Sequence, residues 1–512
     1  MKKRRWVRVL FRRRVFVSAL IILQIVFMIF FIATSSHASR IVNITLNAIS
    51  IVVCFYIVSK KEKSAYKLIW IFLILMFPIF GGFLYIIFYT QSNPRKLKKQ
   101  INQTLYDTYP LLMLPDNALS ELEEKKEDCI THVRYLQSYA NFPVYKHTRT
   151  EYFDSGEGFF HKVLEELEKA EKYIFLEFFI VREGYMLNSI FSILERKAAA
   201  GVDVRLMYDD LGCFLTLPVN FKEYLAEKNI KCKVFNPFKP VVSSLQNNRD
   251  HRKIVSVDGK VAFTGGMNIG DEYINTVEKY GHWKDAAILI EGHAAWSLTL
   301  IFMQMWNTGR ADPDDYESFY PWKETSCGIE SDGYVLPYAD SPLDKENVGE
   351  HVYIQIISQA KDYVYINTPY LIVDDNLLSA LTLAAKSGVD VRIITPFRYD
   401  KRIVHITTRS YYRQLVMAGV KVYEYSSGFN HSKTFVSDDK VATVGTTNLD
   451  FRSLYLHFEC GIWMYKSSAV MKVKEDFQNT LPICHQITLE DCHFHPLQRL
   501  VQEVLRLFAP LM

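Results

Sequence analysis

The stretch NRDHRKIVSVDGKVAFTGGMN, residues 248–268, returns as GFNHSKTFVSDDKVATVGTTN at residues 428–448, so one chain carries one pattern twice. His251, Lys253, Asp258, Gly265 and Asn268 meet their counterparts His431, Lys433, Asp438, Gly445 and Asn448 a constant 180 positions later. The likeness extends upstream. EKYIFLEFFIV (171–181) is similar to KDYVYINTPYLIV (361–373), AAAGVDVRLMYDD (198–210) to AAKSGVDVRIITPF (384–397), and KEYLAEKNIKCKVFNP (222–237) to YRQLVMAGVKVYEYSSG (412–428). Each pair reads as helix feeding strand or as a β-branched, aromatic strand, giving strand, helix, strand, helix, strand, hairpin, twice over. Alternation of this kind predicts an α/β fold with a largely parallel sheet in each half and the halves packed together.

The first 94 residues are of another kind. VFVSALIILQIVFMIFFIAT (15–34) is free of charge and long enough to cross about 30 Å of hydrocarbon as a helix. IVNITLNAISIVVCFYIVS (41–59) and LIWIFLILMFPIFGGFLYIIFYT (68–90) follow, the former diluted by Asn43 and Asn47, the latter interrupted by Pro78, Gly81 and Gly82. Three membrane segments are expected, the third spanning or re-entrant; the first is too long for a cleaved signal peptide. Basic clusters at residues 2–14, 60–67 and 95–99 pull several loops to the cytoplasm at once, which leaves the side of the membrane open. Residues 95–140 read as a helical connector, 141–325 and 326–490 as the two halves, with 310–322 as linker, and 491–512 as an amphipathic helix. Its Leu497, Leu500, Val501, Val504, Leu505 and Phe508 lie at helical spacing and suit packing on the domain better than lying on a bilayer.

Charge sorts the functions. Residues 1–99 hold 17 Lys or Arg against Glu62 alone, so residues 100–512 carry a net charge of −12. An acidic catalytic part is a poor general binder of nucleic acid, whose phosphates want a basic face, whereas basic residues beside membrane segments suit anionic lipid headgroups. The eight cysteines show no disulfide spacing, and Cys484, His485, Cys492, His493 and His495 match no standard zinc pattern, so no metal is expected.

In an extended strand, His251 and Lys253 share a face and Arg252 points away, as do His431 and Lys433 with Ser432 reversed. An imidazole beside an ammonium is a site for an anion, and for a phosphodiester the pair can attack phosphorus, move a proton and neutralise oxygens. A single His-x-Lys is usually surface decoration; five identities kept at the same offsets in two copies are not. Asp258 in VDGK and Asp438 in SDDK sit where a hairpin turns and so are read as organising the loop. Asp285 in GHWKDAAILIEG and Glu459 in LHFECGIW are better placed to orient the imidazoles.

These paired motifs, His251-Arg-Lys253-x4-Asp258 with GGMN and His431-Ser-Lys433-x4-Asp438 with GTTN, resemble the HKD motifs of the phospholipase D superfamily. The segment WIFLILMFPIFGGFLYIIF and the ending RLFAPLM are similar to those of bacterial cardiolipin synthases; the additional first membrane segment is a departure. The resemblance implies two phospholipase D-like halves in a pseudo-twofold pair sharing one pocket in a multi-pass protein of the bacterial cell membrane. It implies His251, Lys253, Asp258, His431, Lys433 and Asp438 as the catalytic set, with Gly265, Asn268, Gly445 and Asn448 at the substrate. It further implies a phosphohistidine on one imidazole, by analogy His251, no metal or other cofactor, and phosphatidyl transfer between phosphatidylglycerol molecules. Phospholipid hydrolysis, a tethered nuclease and a non-catalytic scaffold are the rivals.

Overall fold

The computed structural model describes residues 37–77, 95–113, 117–237, 244–322, 327–344 and 346–511, with 26, 81, 82, 85 and 86 besides. They divide into two compact units: Met1–Pro94 with Phe238–Asn247 and Leu507–Leu511, and Arg95–Pro237 with Asn248–Arg506.

In the first unit, helices His37–Ser59 and Ser64–Met76 bury Ile57 and Ile74, and Trp70 meets the ring of Tyr85 edge-on at 5.2 Å. The other faces stay apolar and exposed: Ile41, Ile44, Val52, Phe55 and Leu75 are all more than half accessible. The expected segment 41–59 lies inside the first helix. The third expected segment begins in the second helix, which ends at Met76 because Pro78 drives the residue before it out of helical geometry, and Phe77 has ψ of 74°; Gly81, Gly82, Tyr85 and Ile86 beyond it are helical. Among the described residues no helix is long and apolar enough to cross a membrane. The segment 15–34 lies outside the described residues, apart from a helical Val26.

The second unit begins with helices Arg95–Leu112, Ala118–Glu124 and Ile130–Ser138. The first half then runs through strands β1 (Thr148–Phe153), β2 (Tyr173–Phe178), β3 (Asp203–Asp209), β4 (Lys231–Phe235), β5 (Arg249–Asp250), β6 (Ile254–Val257), β7 (Val261–Gly265), β8 (His282–Lys284) and β9 (Ala287–Gly292). The second half repeats them as β10 (Tyr334–Asp340), β11 (Tyr363–Asn367), β12 (Leu371–Ile372), β13 (Asp390–Pro396), β14 (Lys421–Tyr425), β15 (Gly428–Asn430), β16 (Thr434–Ser437), β17 (Val441–Gly445), β18 (Leu449–Asp450) and β19 (His457–Tyr465), with β20 (Cys484–Gln486) added at the edge. The sheet orders match: β1-β9-β7-β6-β2-β3-β4 and β10-β19-β17-β16-β11-β13-β14-β20.

The expected largely parallel sheet is corrected to a mixed one. In the two main sheet orders β2, β3, β4 and their mates β11, β13, β14 run parallel, joined by helical crossovers. The hairpin β6–β7 cannot be parallel to itself, and it sets β9 and β1 antiparallel beyond it. Helix His293–Asn307 follows β9 and is buried on every side from Ala294 onward, the environment its nearly all-apolar sequence demands.

The C-terminal helix forms at Pro496–Leu507, but its apolar stripe does not pack on the domain. Leu497, Leu500, Val501 and Val504 are exposed, while Gln502 is buried and Arg506 lies 4.3 Å over the ring of Tyr411. The helix sits on its polar side because the arginine can stack there and still reach Gln414.

Candidate active site

The two motif histidines stand just beyond short strands that cross between the halves. β5, leading into His251, pairs in parallel with the start of β19, and β15, leading into His431, pairs in parallel with β8. The backbone N–H of His251 donates to the carbonyl of Phe458 at 3.0 Å, and that of His431 to the carbonyl of Lys284 at 2.7 Å. Each motif is thus spliced onto the other half beside an acid, Glu459 on β19 and Asp285 directly after β8.

Those acids are Glu459 and Asp285, and the pairing is crossed. Nδ1 of His251 lies 3.0 Å and 3.1 Å from the two carboxylate oxygens of Glu459, and Nδ1 of His431 lies 2.7 Å from Oδ2 of Asp285. Glu459 is fixed by the hydroxyl of Thr446, and Asp285 by its own neighbour's N–H and by Nε1–H of Trp283 at 3.2 Å. A carboxylate on Nδ1 holds the proton there and leaves Nε2 as the free lone pair, the tautomer a nucleophile or base needs. The sequence named both acids but could not show that each serves the other half, because no local periodicity carries an inter-half contact.

Alternation along the chain does what the sequence predicts. Lys253 and Lys433 sit with their histidines, each ammonium donating to the carbonyl of its own motif's His. Arg252 points the other way, pairing with Glu177 at 2.7 Å and Asp250 at 2.9 Å, and lines a separate cavity of about 520 Å³ with Phe458, Tyr109 and Met305.

Burial and crowding of positive charge set the protonation states. Burial, then Lys253, Lys433 and His431, hold His251 well below the ordinary histidine value; burial and Lys433 hold His431 down to about 4 against the pull of Asp285. Burial lowers Lys253 to about 8 and, with Lys253 nearby, Lys433 to about 7, although Asp285 and Glu459 oppose the shift. That these four groups influence one another is what a single shared pocket requires. Two neutral imidazoles and two weakly held ammonium protons make a site poised for an anion.

The sequence profile described as "Cardiolipin synthase, PLD-like domain" matches residues 163–306 and 353–481, and "Phospholipase_D-nuclease N-terminal" matches residues 46–88. The chain belongs to the cardiolipin synthase family of phospholipase D-like proteins. Relatives named cardiolipin synthase include one of Alkalihalophilus pseudofirmus, 34% identical over 91% of this chain and 93% of its own, and one of a Geobacillus, 35% identical over 92% and 93%. An uncharacterized protein of Streptococcus mutans is 44% identical over 89% of this chain and 99% of its own. The crystal structure of a Haemophilus influenzae phosphatidylserine synthase superposes with a TM-score of 0.55 at 15% identity, covering 74% of this chain and 99% of that one, which shows the shared fold.

Within this cardiolipin synthase framework several motif residues prove structural. Asp258 accepts backbone N–H bonds from Glu171, Lys172 and Tyr173 at 2.8, 2.8 and 2.7 Å. Asp438 does the same for Lys361, Asp362 and Tyr363 at 2.7, 3.0 and 2.9 Å. Both adopt left-handed φ, 52° and 53°, at the hairpin turn, so they fasten the hairpin to β2 and β11. A Cβ on Gly265 would come 2.4 Å from the Ala286 carbonyl, and one on Gly445 2.6 Å from that of Cys460, so close strand approach requires glycine at both positions. Asn268 spans the N–H of Ile180 and the hydroxyl of Tyr273, both at 2.9 Å. Asn448 donates to Asp450 at 3.2 Å and keeps its buried Oδ1 unpartnered among the described residues.

Other contributors escaped the sequence reading. Phe179 lies edge-on to His251 at 5.1 Å, and Trp283, Phe429 and Tyr273 surround His431 at 5.0, 5.8 and 6.1 Å. His457 stands 5.4 Å from His251. Its position two residues before Glu459 on one strand face was the available signal, as Trp283 is two before Asp285.

Proposed function

We infer that the chain is a cardiolipin synthase, transferring phosphatidyl from one phosphatidylglycerol to a hydroxyl of another and releasing glycerol. The observation that carries this reading is the crossed pair: two imidazoles, each backed by the other half's carboxylate, among buried ammonium groups. In the first step Nε2 of His251 attacks phosphorus and the bond from phosphorus to the glycerol headgroup oxygen breaks; His431, charged once the bound phosphate anion offsets Lys253 and Lys433 beside it, gives its Nε2 proton to the departing glycerol oxygen. In the second step His431 takes the proton of the incoming hydroxyl, whose oxygen attacks the phosphohistidine. The P–N bond breaks and cardiolipin departs. Lys253 and Lys433 hold the non-bridging oxygens, where charge grows in both transition states.

A site of this kind needs lipid headgroups brought to it. The segments 15–34, 41–59 and 68–90 serve as the membrane anchor of a bacterial cell-membrane protein, the third spanning or re-entrant. Supporting this, the two described helices of the first unit keep large apolar side chains exposed, as a hydrocarbon-facing surface does. The net charge of −12 over residues 100–512 speaks against nucleic acid as substrate.

Purified protein in phosphatidylglycerol vesicles, followed by lipid mass spectrometry, should yield cardiolipin and free glycerol. Phosphatidic acid as the sole lipid product would make the enzyme a hydrolase instead. His251→Ala and His431→Ala should each abolish turnover.

A further inference from the structure

We propose that His251, His457 and Glu459 form a binding site for a borderline transition-metal ion, Zn2+ by preference, whose occupancy shuts off His251. One donor atom from each of the three lies within 4.8 Å of the others, and all three residues are buried. Tetrahedral coordination with bonds near 2.1 Å sets ligands about 3.4 Å apart, so small side-chain rotations close the set around an ion. Two imidazoles and a carboxylate suit Zn2+, Co2+ or Ni2+, and not Mg2+ or Ca2+, which want oxygen ligands.

An independent observation points to a ligand. His457 is 8% exposed, and neither of its ring nitrogens has a hydrogen-bond partner among the described residues. Its Nδ1 stands 3.6 Å from Oε1 of Glu459, too far for a good hydrogen bond. The equivalent position in the other half shows what a purely structural ring does: Trp283 donates Nε1–H to Asp285 at 3.2 Å and has no lone pair to offer an ion. The asymmetry gives the His251 side a third donor and denies one to the His431 side.

The expected consequence is inhibition. Coordination through Nε2 of His251 occupies the lone pair that attacks phosphorus, and coordination through Nδ1 displaces the Glu459 hydrogen bond that orients the ring. Lys253 and Lys433 oppose a cation here, so binding strengthens when an anionic phosphate shares the pocket.

The test uses the full-length, tag-free protein in detergent, stripped with chelator and titrated with Zn2+ by calorimetry and with Co2+ by visible absorption. Wild type should bind one ion per chain. His457→Trp, which copies the other half's ring, should weaken binding at least about 100-fold, and His457→Asn does the same if the larger ring disturbs folding. His431→Asn should retain the ion. Absence of stoichiometric binding in wild type, unchanged binding in both His457 variants, or loss in His431→Asn would overturn the proposal.

Discussion

Nδ1 of His251 lies 3.0 Å from a carboxylate oxygen of Glu459, a residue 208 positions further along the chain and in the other half of the repeat. His431 and Asp285 make the reciprocal pair, 146 positions apart. Neither half therefore holds a finished catalytic group. Duplication here yields one site built of two exchanged parts, which is why both copies keep His, Lys and the acid.

Neutralising a partner acid should cost nearly as much as losing the imidazole it orients. Glu459→Gln and Asp285→Asn keep volume but remove the charge that fixes the tautomer, and kcat should fall by roughly 10²–10⁴-fold in each. Steady-state transfer assays on detergent-solubilised protein check this; a loss under tenfold in both would mean the carboxylates only pack.

The pH profile follows from the shifted groups. Lys433, lowered to about 7, and Lys253, lowered to about 8, shed their protons as pH rises, removing the ammonium groups that hold phosphate. kcat/KM should therefore decline above about pH 7, and its acid limb should lie well below the ordinary histidine value, where His251 takes up a proton and loses the lone pair that attacks phosphorus. Lys433→Arg, which stays charged, should move the basic limb upward and leave the acid limb in place.

Stability should trade against activity at the same lysine. Its folded pKa lies below the unfolded value of about 10.4, so the unfolded chain binds more protons between roughly pH 7 and 10.4 and wild-type stability rises with pH across that window. Lys433→Met should abolish turnover, flatten that rise and raise Tm at pH 7, recovering on the order of 3 kcal/mol. A lower Tm in the variant would contradict the desolvation account.

Asp258 and Asp438 give the opposite pattern. Replacing Asp258 by Ala strands three backbone N–H groups and should cost roughly 2–4 kcal/mol, read as a lower urea midpoint, whereas Asp438→Ala should cost less, since water reaches the N–H groups of Lys361 and Asp362. The folded protein should keep kcat, and a selective loss of kcat without loss of stability would return these residues to the chemistry.

The repeat told most of the fold because strand and helix periods survive in each copy: the order of elements from Tyr173 to Asn268 and from Tyr363 to Asn448 is as the sequence reads. Sheet direction was less legible, since nothing in VSVDGKVAF says which neighbour β7 takes. Contacts made across the halves, Glu459 with His251 above all, have no local signature. The C-terminal stripe misled because helical spacing reports amphipathicity and not which face is covered; Arg506 and Gln502 decided that.

The central statement is that both imidazoles address one phosphorus. A crystal structure of the full chain with tungstate, a phosphate mimic, measures this directly. A single tungstate within hydrogen-bond reach of Nε2 of both His251 and His431 is the predicted result, and two ions each held by one histidine, or one ion reaching only one ring, would contradict it.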